Sequence, residues 1–181
     1  MRIIGGQFKG SNIYIPKSKD TRPLKDLVRE SIFNLMDHSN QILFNLKQSN
    51  VLDLYAGTGS FGLECLSRQA KRVFFIENQK EVIEILKKNI DKLKLENKTK
   101  IISNNIFDIM KKENFFESKF DLIFCDPPYK DNNTEELVQL IFNKVLLKKN
   151  GLIIIHKNKS FKKTFPSFLK IVDERVYGIS K

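Results

Sequence analysis

Three observations predict a single α/β domain built on a doubly wound, mostly parallel sheet. From residue 51 onward, strand-like apolar runs alternate with helical segments that are apolar on one face. Several of those runs are apolar without a break, as strands covered on both faces are. Neither an internal repeat nor a Pro/Gly-rich linker divides the 181 residues, a length that fills one domain. The single domain therefore spans 1–181, with 1–36 as a basic N-terminal arm, hairpin and helix.

Taken in order, residues 2–4 and 12–15 are β-prone and are joined through Gly5, Gly6 and Gly10, the pattern of a small hairpin. Residues 16–23 lie between two prolines and form a loop. Leu24, Leu27, Val28, Ile32, Leu35 and Met36 recur at helical spacing and predict one apolar stripe toward the core. Residues 51–55 are a buried strand that runs into glycines 57, 59 and 62, then into a helix carrying Leu63 and Leu66. A second strand covers 72–76, followed by a helix marked by Ile83, Leu86, Ile90 and Leu93. A third strand covers 100–103, and Ile106, Ile109 and Met110 mark a short helix. Leu122, Ile123 and Phe124 form the centre of a fourth strand, stopped by Asp126 and two prolines. Leu137, Leu140 and Ile141 stripe another helix, 151–156 is a fifth strand and 171–177 a sixth.

Composition excludes several classes. No apolar run reaches membrane-span length, and MRIIGGQFKG lacks the continuous apolar core of a secretion signal, so a cytoplasmic protein with no membrane partner is expected. Cys65 and Cys125 sit singly in apolar segments, as reduced core residues do. His38 and His156 have no partners at ligand spacing, so no metal is expected. The net charge of +11 is unevenly placed: residues 1–30 carry +4, residues 148–181 carry +7, and 31–147 balance at 16 basic against 16 acidic. A neutral body with basic ends suits a polyanion. Arg2, Lys9, Arg22, Lys25 and Arg29 are the candidate nucleic-acid contacts; the plainer alternative is a surface that only solubilises.

The chemistry gathers at strand ends, where open α/β sheets bind ligands. Asp126 stands at one such end, and Pro127 and Pro128 fix φ while leaving carbonyls with no neighbouring N–H. Tyr129 adds an aromatic face. An acceptor side chain, carbonyls and a flat ring suit a planar nitrogen base whose amino group donates hydrogen bonds. The plainer alternative is a strand stopped by Pro-Pro with an acid in the loop. Gly57, Gly59 and Gly62, with Tyr55 just before them, form GxGxxG between a strand and a helix, which permits a tight turn and close approach of a ligand. Glu77, 20 residues after Gly57, can accept the hydroxyls of a ribose. Asp53, inside the first strand, would repel a pyrophosphate and favour a cationic amine or sulfonium, against a dinucleotide. Asn105 is either an adenine contact or a turn residue.

DLYAGTGSFG, the acid Glu77 and DPPY after the fourth strand resemble the motifs of Rossmann-like, S-adenosylmethionine-dependent methyltransferases that act on an amino group. With RIIGG and RPxxDxVRE (Arg22, Pro23, Asp26, Val28, Arg29, Glu30), nearly the whole chain resembles the RsmD type of bacterial guanine-N2 methyltransferase of small-subunit ribosomal RNA. The resemblance implies S-adenosylmethionine as cofactor, with Asp53, Tyr55, Gly57 and Gly59 in its loop, Glu77 on the ribose and Asn105 on the adenine side. It implies Asp126, Pro127, Pro128 and Tyr129 as the catalytic motif, and ribosomal RNA or the assembled small subunit as partner of a monomer. The chain departs from the family at Leu24-Lys25, where threonines are usual, and near His156, where a glutamate is usual. Family members also tend to end in an antiparallel strand beyond the YG matched by Tyr177-Gly178. DPPY serves adenine-N6 and protein-glutamine methyltransferases too, and the basic ends favour nucleic acid over protein. A nucleotide-dependent RNA-binding module without chemistry is the rival of another class, although a pure binder needs neither motif.

Overall fold

The computed structural model describes residues 1–16, 24–128, 131–161, 165, 169–178 and 180–181. Five strands form one all-parallel sheet: β1 (Asn50–Leu54), β2 (Arg72–Glu77), β3 (Thr99–Ser103), β4 (Phe120–Cys125) and β5 (Leu147–Ile155). Their spatial order is β3-β2-β1-β4-β5, so the winding reverses between β1 and β4. Helices α2 (Ser60–Ser67), α3 (Lys80–Leu93), α4 (Ile106–Lys111) and α5 (Thr134–Asn143) make the crossovers, and α1 (Asp26–His38) precedes the sheet. The expected Rossmann-like architecture is thus present, and the reversal opens a crevice beyond the carboxyl ends of β1 and β4. No helix among the described residues is long and apolar enough to cross a membrane.

Because side chains alternate along a strand, each central strand feeds two cores. Val51, Phe75, Leu122 and Phe124 pack with Phe33, Phe61, Leu86 and Ile90 on one face. Leu52, Ile76, Ile123 and Cys125 pack with Ile106, Ile109, Leu137 and Ile141 on the other. Burial on both faces is why these strands are apolar at successive positions. Phe61 of α2 stacks on Phe124 of β4, with ring centroids 3.8 Å apart, and on Phe33 of α1 at 5.3 Å. That stack docks the N-terminal helix on the layer that carries the glycine loop.

Three elements differ from expectation. The N-terminal hairpin is one antiparallel bridge, Arg2 with Asn12, closed over a 3-10 turn at Gly6–Phe8. The sixth strand is absent: residues 171–176 form no strand, and Tyr177 pairs with Ser180 as an isolated bridge. The backbone just past β5 pairs elsewhere, Lys157 and Lys181 exchanging hydrogen bonds of 2.8 and 2.7 Å. In α1 the buried residues are Val28, Arg29, Phe33 and Met36, while Leu27 is 62% exposed. At about 100° per residue those four fall within one arc, and Leu27 lies a quarter-turn outside it.

Arg29 is thereby corrected as a nucleic-acid contact. It is 0% exposed, and its guanidinium donates to Arg2 O at 2.6 Å and Asp26 Oδ1 at 3.0 Å, with Glu64 Oε2 at 3.8 Å. Burial lowers its pKa from the ordinary arginine value while Asp26 and Glu64 oppose that shift. Glu64, also fully buried, accepts from Ile4 N and Arg68 Nε. The charge that the sequence places near a polyanion instead fastens the arm to α1 and α2.

Candidate active site

The carboxyl ends of β1, β2 and β4 surround a cleft of about 470 Å³, whose walls include Lys25, Gly57, Glu77, Asp126, Pro127 and His156. On the β1 side the chain turns sharply. Gly57 has φ +55 with open space where a Cβ would stand, so a ligand can approach its backbone. Gly59 has φ +84, and a Cβ there would lie 2.4 Å from Leu86, so it serves packing. Tyr55 itself adopts φ 58, and its hydroxyl donates to Asp131 Oδ2 at 3.1 Å, tying the glycine loop to the segment after DPPY. Burial is the main force that raises the Tyr55 pKa, helped by Asp131.

Glu77 is fixed by backbone on both oxygens. Oε2 accepts from Gly57 N at 2.9 Å, and Oε1 accepts from Asn78 N and Gln79 N at 2.8 and 2.9 Å. Three of roughly four lone-pair positions are thus taken, which leaves one for a ligand hydroxyl while those bonds stand. Asp53 is 1% exposed beneath the glycine loop, where Oδ2 accepts from Gly62 N at 3.0 Å. It is not on the cleft wall. Burial holds its carboxyl well above the ordinary range; the Gly62 N–H opposes this, and the charges of Asp126 and Glu77 add to it. Asn105 is also off the wall: its side-chain oxygen caps α4 by accepting from Phe107 N at 2.8 Å.

On the β4 side, Asp126 and Pro127 face the cleft one step past the end of the strand. Asp126 Oδ1 lies 2.7 Å from His156 Nδ1, in a ring that is 7% exposed at the end of β5. Lys157, only 2% exposed, donates from Nζ to Asp131 O at 2.6 Å. Pro128 is exposed, whereas Tyr129 and Arg22 lie outside the described residues. Arg2 and Lys9 are exposed on the arm, and exposed Lys25 stands on the cleft wall. Cys65 and Cys125 are buried thiols, raised in pKa chiefly by burial, which leaves them un-ionised.

Sequence reasoning missed the contact of His156 with Asp126, and missed Lys157 and Asn89 altogether. Asn89 of α3 is fully buried; its amide donates to Thr58 O at 3.0 Å and to Tyr14 O at 3.1 Å, and accepts from Tyr14 N at 2.7 Å. One side chain therefore links the arm to the glycine loop. The available signal was a polar residue among Leu86, Ile90 and Leu93 on an apolar helix face.

Known proteins are similar to this chain over nearly its full length. The family model described as conserved hypothetical protein 95 matches residues 1–181. Ribosomal RNA small subunit methyltransferase D of Haemophilus influenzae is 35% identical, covering 99% of this chain and 90% of that protein. The protein of the same description from Escherichia coli K12 is 30% identical over 98% of this chain and 85% of its own length. A solved structure from Escherichia coli superposes with a TM-score of 0.84 at 29% identity, covering 99% of this chain and 93% of that one. The match is end to end, and the chain belongs to this family, that of the RsmD-type methyltransferases.

Proposed function

We propose that the chain transfers a methyl group from S-adenosylmethionine to the exocyclic N2 amine of a guanine in small-subunit ribosomal RNA. The observation that carries this reading is the meeting of Asp126 and Pro127 with the Gly57–Glu77 cradle on the walls of one cleft. The relatives' names point to the same RNA. The residues present fit the cofactor: open space at Gly57 admits a ligand against backbone, Glu77 offers a ribose acceptor, and buried Asp53, which burial keeps in the neutral form, gains a negative charge when a bound cation draws off its proton. Asn105 keeps its amide nitrogen for an adenine acceptor while its oxygen caps α4. The volume lies within the roughly 300–1,000 Å³ of small-molecule sites. When bound, the cofactor supplies a methyl group already activated by a sulfonium.

The protein's work is positioning. The guanine amine is a weak nucleophile because its lone pair is delocalised into the ring. The Asp126 carboxylate and the Pro127 carbonyl accept its N–H groups and turn the lone pair toward the methyl, and Tyr129 stacks on the base. Such orientation supplies roughly 7–11 kcal/mol of a barrier in favourable cases. Duplex geometry hides the amine, so the target is an unstacked guanine. Arg2, Lys9, Arg22 and Lys25 hold the RNA backbone, and the chain acts as a monomer in the cytoplasm. The test is to incubate the protein with labelled cofactor and small subunits stripped of modification, then to identify the labelled nucleoside. N2-methylguanosine is expected; N6-methyladenosine, or no label on RNA, would replace this reading.

A further inference from the structure

We propose that His156 is a positioning residue for the transfer: it holds one oxygen of Asp126 so that the other faces the target amine. The inference rests on the proposed function above. Its basis is the 2.7 Å contact between His156 Nδ1 and Asp126 Oδ1, made across 30 residues of sequence. An ionised carboxylate only accepts, so Nδ1 carries the hydrogen. The strand ladder builds the contact. β4 and β5 run parallel with Cys125 opposite Ile155, and His156 N donates to Cys125 O at 2.9 Å. Asp126 and His156 therefore leave adjacent strand ends side by side. The ring is almost fully buried, whereas the Asp126 side chain retains 22% exposure toward the cleft. A carboxylate fixed through Oδ1 loses its rotational freedom and presents Oδ2 in one direction.

The N2 lone pair forms a bond to the methyl carbon while the electrons of the broken carbon–sulfur bond stay with sulfur. N2, now positively charged with two N–H protons, releases one to Asp126 Oδ2, and from there the proton passes to water. His156 touches none of the reacting atoms; it acts through Asp126.

A double-mutant cycle tests this. Single-turnover transfer is measured at saturating cofactor and RNA for the wild type, His156→Ala, Asp126→Ala and the double variant. His156→Ala is expected to slow transfer about tenfold to a hundredfold, the cost of a small misplacement, with cofactor affinity unchanged. In the Asp126→Ala background the same change adds no further loss. His156→Gln retains an N–H donor and is expected to restore part of the rate, which a merely packed ring would not require. Nitrogen NMR of the isotope-labelled, ligand-free protein gives a readout apart from activity. The chain has only 2 histidines, so loss of one signal in His156→Gln assigns the ring. Its hydrogen is expected on Nδ1, and the signal should shift in Asp126→Ala. Additive losses in the cycle, or a ring with its hydrogen on the other nitrogen and indifferent to Asp126→Ala, overturn the proposal. Should the wild type methylate no guanine, the proposed function fails and takes this inference with it. Wild-type transfer combined with an additive cycle sinks this inference alone.

Discussion

The two halves of the cleft are held together by different kinds of bond. On the β1–β2 side, acidic side chains are tied to backbone: Glu77 takes three N–H groups and Asp53 takes one from Gly62. On the β4–β5 side, side chains are tied to distant partners: Asp126 to His156, Tyr55 to Asp131, and Lys157 to the Asp131 carbonyl. The first set spans at most 20 residues of sequence, and the second spans 30, 76 and 26. A backbone-tied acid makes a preset cradle, suited to binding the same ligand at every turnover. An acid oriented by a side chain can be aimed, which is what a reacting nitrogen requires. Under the proposed function the first half would bind and the second would set the rate, and substitutions in each half should separate the two.

The largest effect is expected on the aimed side. Asp126→Ala should slow methyl transfer by about a hundredfold, on the order of 3 kcal/mol, by analogy with the loss of one preorganised hydrogen-bond partner at a reacting atom. Cofactor affinity should hold, since the Glu77 cradle is untouched. Glu77→Ala is expected to do the reverse. It leaves three N–H groups without their acceptor and should weaken cofactor binding by about 1–3 kcal/mol, with a smaller effect on transfer at saturation. Calorimetric titration and single-turnover kinetics on both variants decide the matter. If Asp126→Ala weakens cofactor binding as much as Glu77→Ala does, the division of labour is wrong.

The same difference explains what could be read in advance. Gly57, Gly59, Glu77 and Asp126 belong to short runs whose strand and helix context is visible locally, and all five strands were placed from local pattern, although β5 starts at Leu147, before the apolar run from 151, because the polar stretch of Lys148, Lys149 and Asn150 gives no strand signal. The partners of Asp126 and Asp131 depend on which strands become neighbours, and local pattern does not encode strand order. That is why the pairing of His156 with Asp126 and of Lys157 with the Asp131 carbonyl went unseen, although both residues stand just after an apolar strand end. Arg29 was misplaced because the buried arc of α1 is set by the Phe33–Phe61 stack and by Glu64, neither of which helical spacing reveals. Asn105 had a local signal, since Asn before a short helix is a favoured N-cap.

A subtler contrast concerns the field under the cradle. Asp53 is raised above the ordinary carboxyl range mainly by burial, so the folded state prefers the protonated form. This site's contribution to stability is therefore intact below the unfolded value and is lost as pH rises through the window up to the folded value. Asp53→Asn keeps an oxygen for Gly62 N and removes the charge, so denaturant unfolding across pH should show the variant gaining on the wild type as pH rises. A cationic ligand should favour ionised Asp53, release a proton on binding and bind more weakly as pH falls. Calorimetry in buffers of different ionisation enthalpy would detect that release. An Asn variant with the wild-type pH slope would mean that Asp53 is not the group responsible.

The smallest effects are expected at the outer rim, where exposed cations replace buried acids. Arg2, Lys9 and Lys25 are exposed, and Lys25 stands on the cleft wall between the arm and α1. Each phosphate they neutralise should add about 0.7–0.9 to the slope of log affinity against log salt. Replacing all three by Ala should therefore flatten the slope for RNA by about 2 to 3 if each meets one phosphate. Neither cofactor affinity nor the transfer rate at saturating RNA should change, because no rim residue supports Glu77 or Asp126. Arg29→Met supplies the opposite control. Its guanidinium is buried against Glu64 and Arg2 O, so removing it should lower the denaturant midpoint and leave the salt slope as it was. Binding isotherms at several salt concentrations, with unfolding curves for the same proteins, place each cation in one class. A slope unchanged by the triple substitution would show that the arm serves solubility, and that RNA reaches the cleft over some other surface.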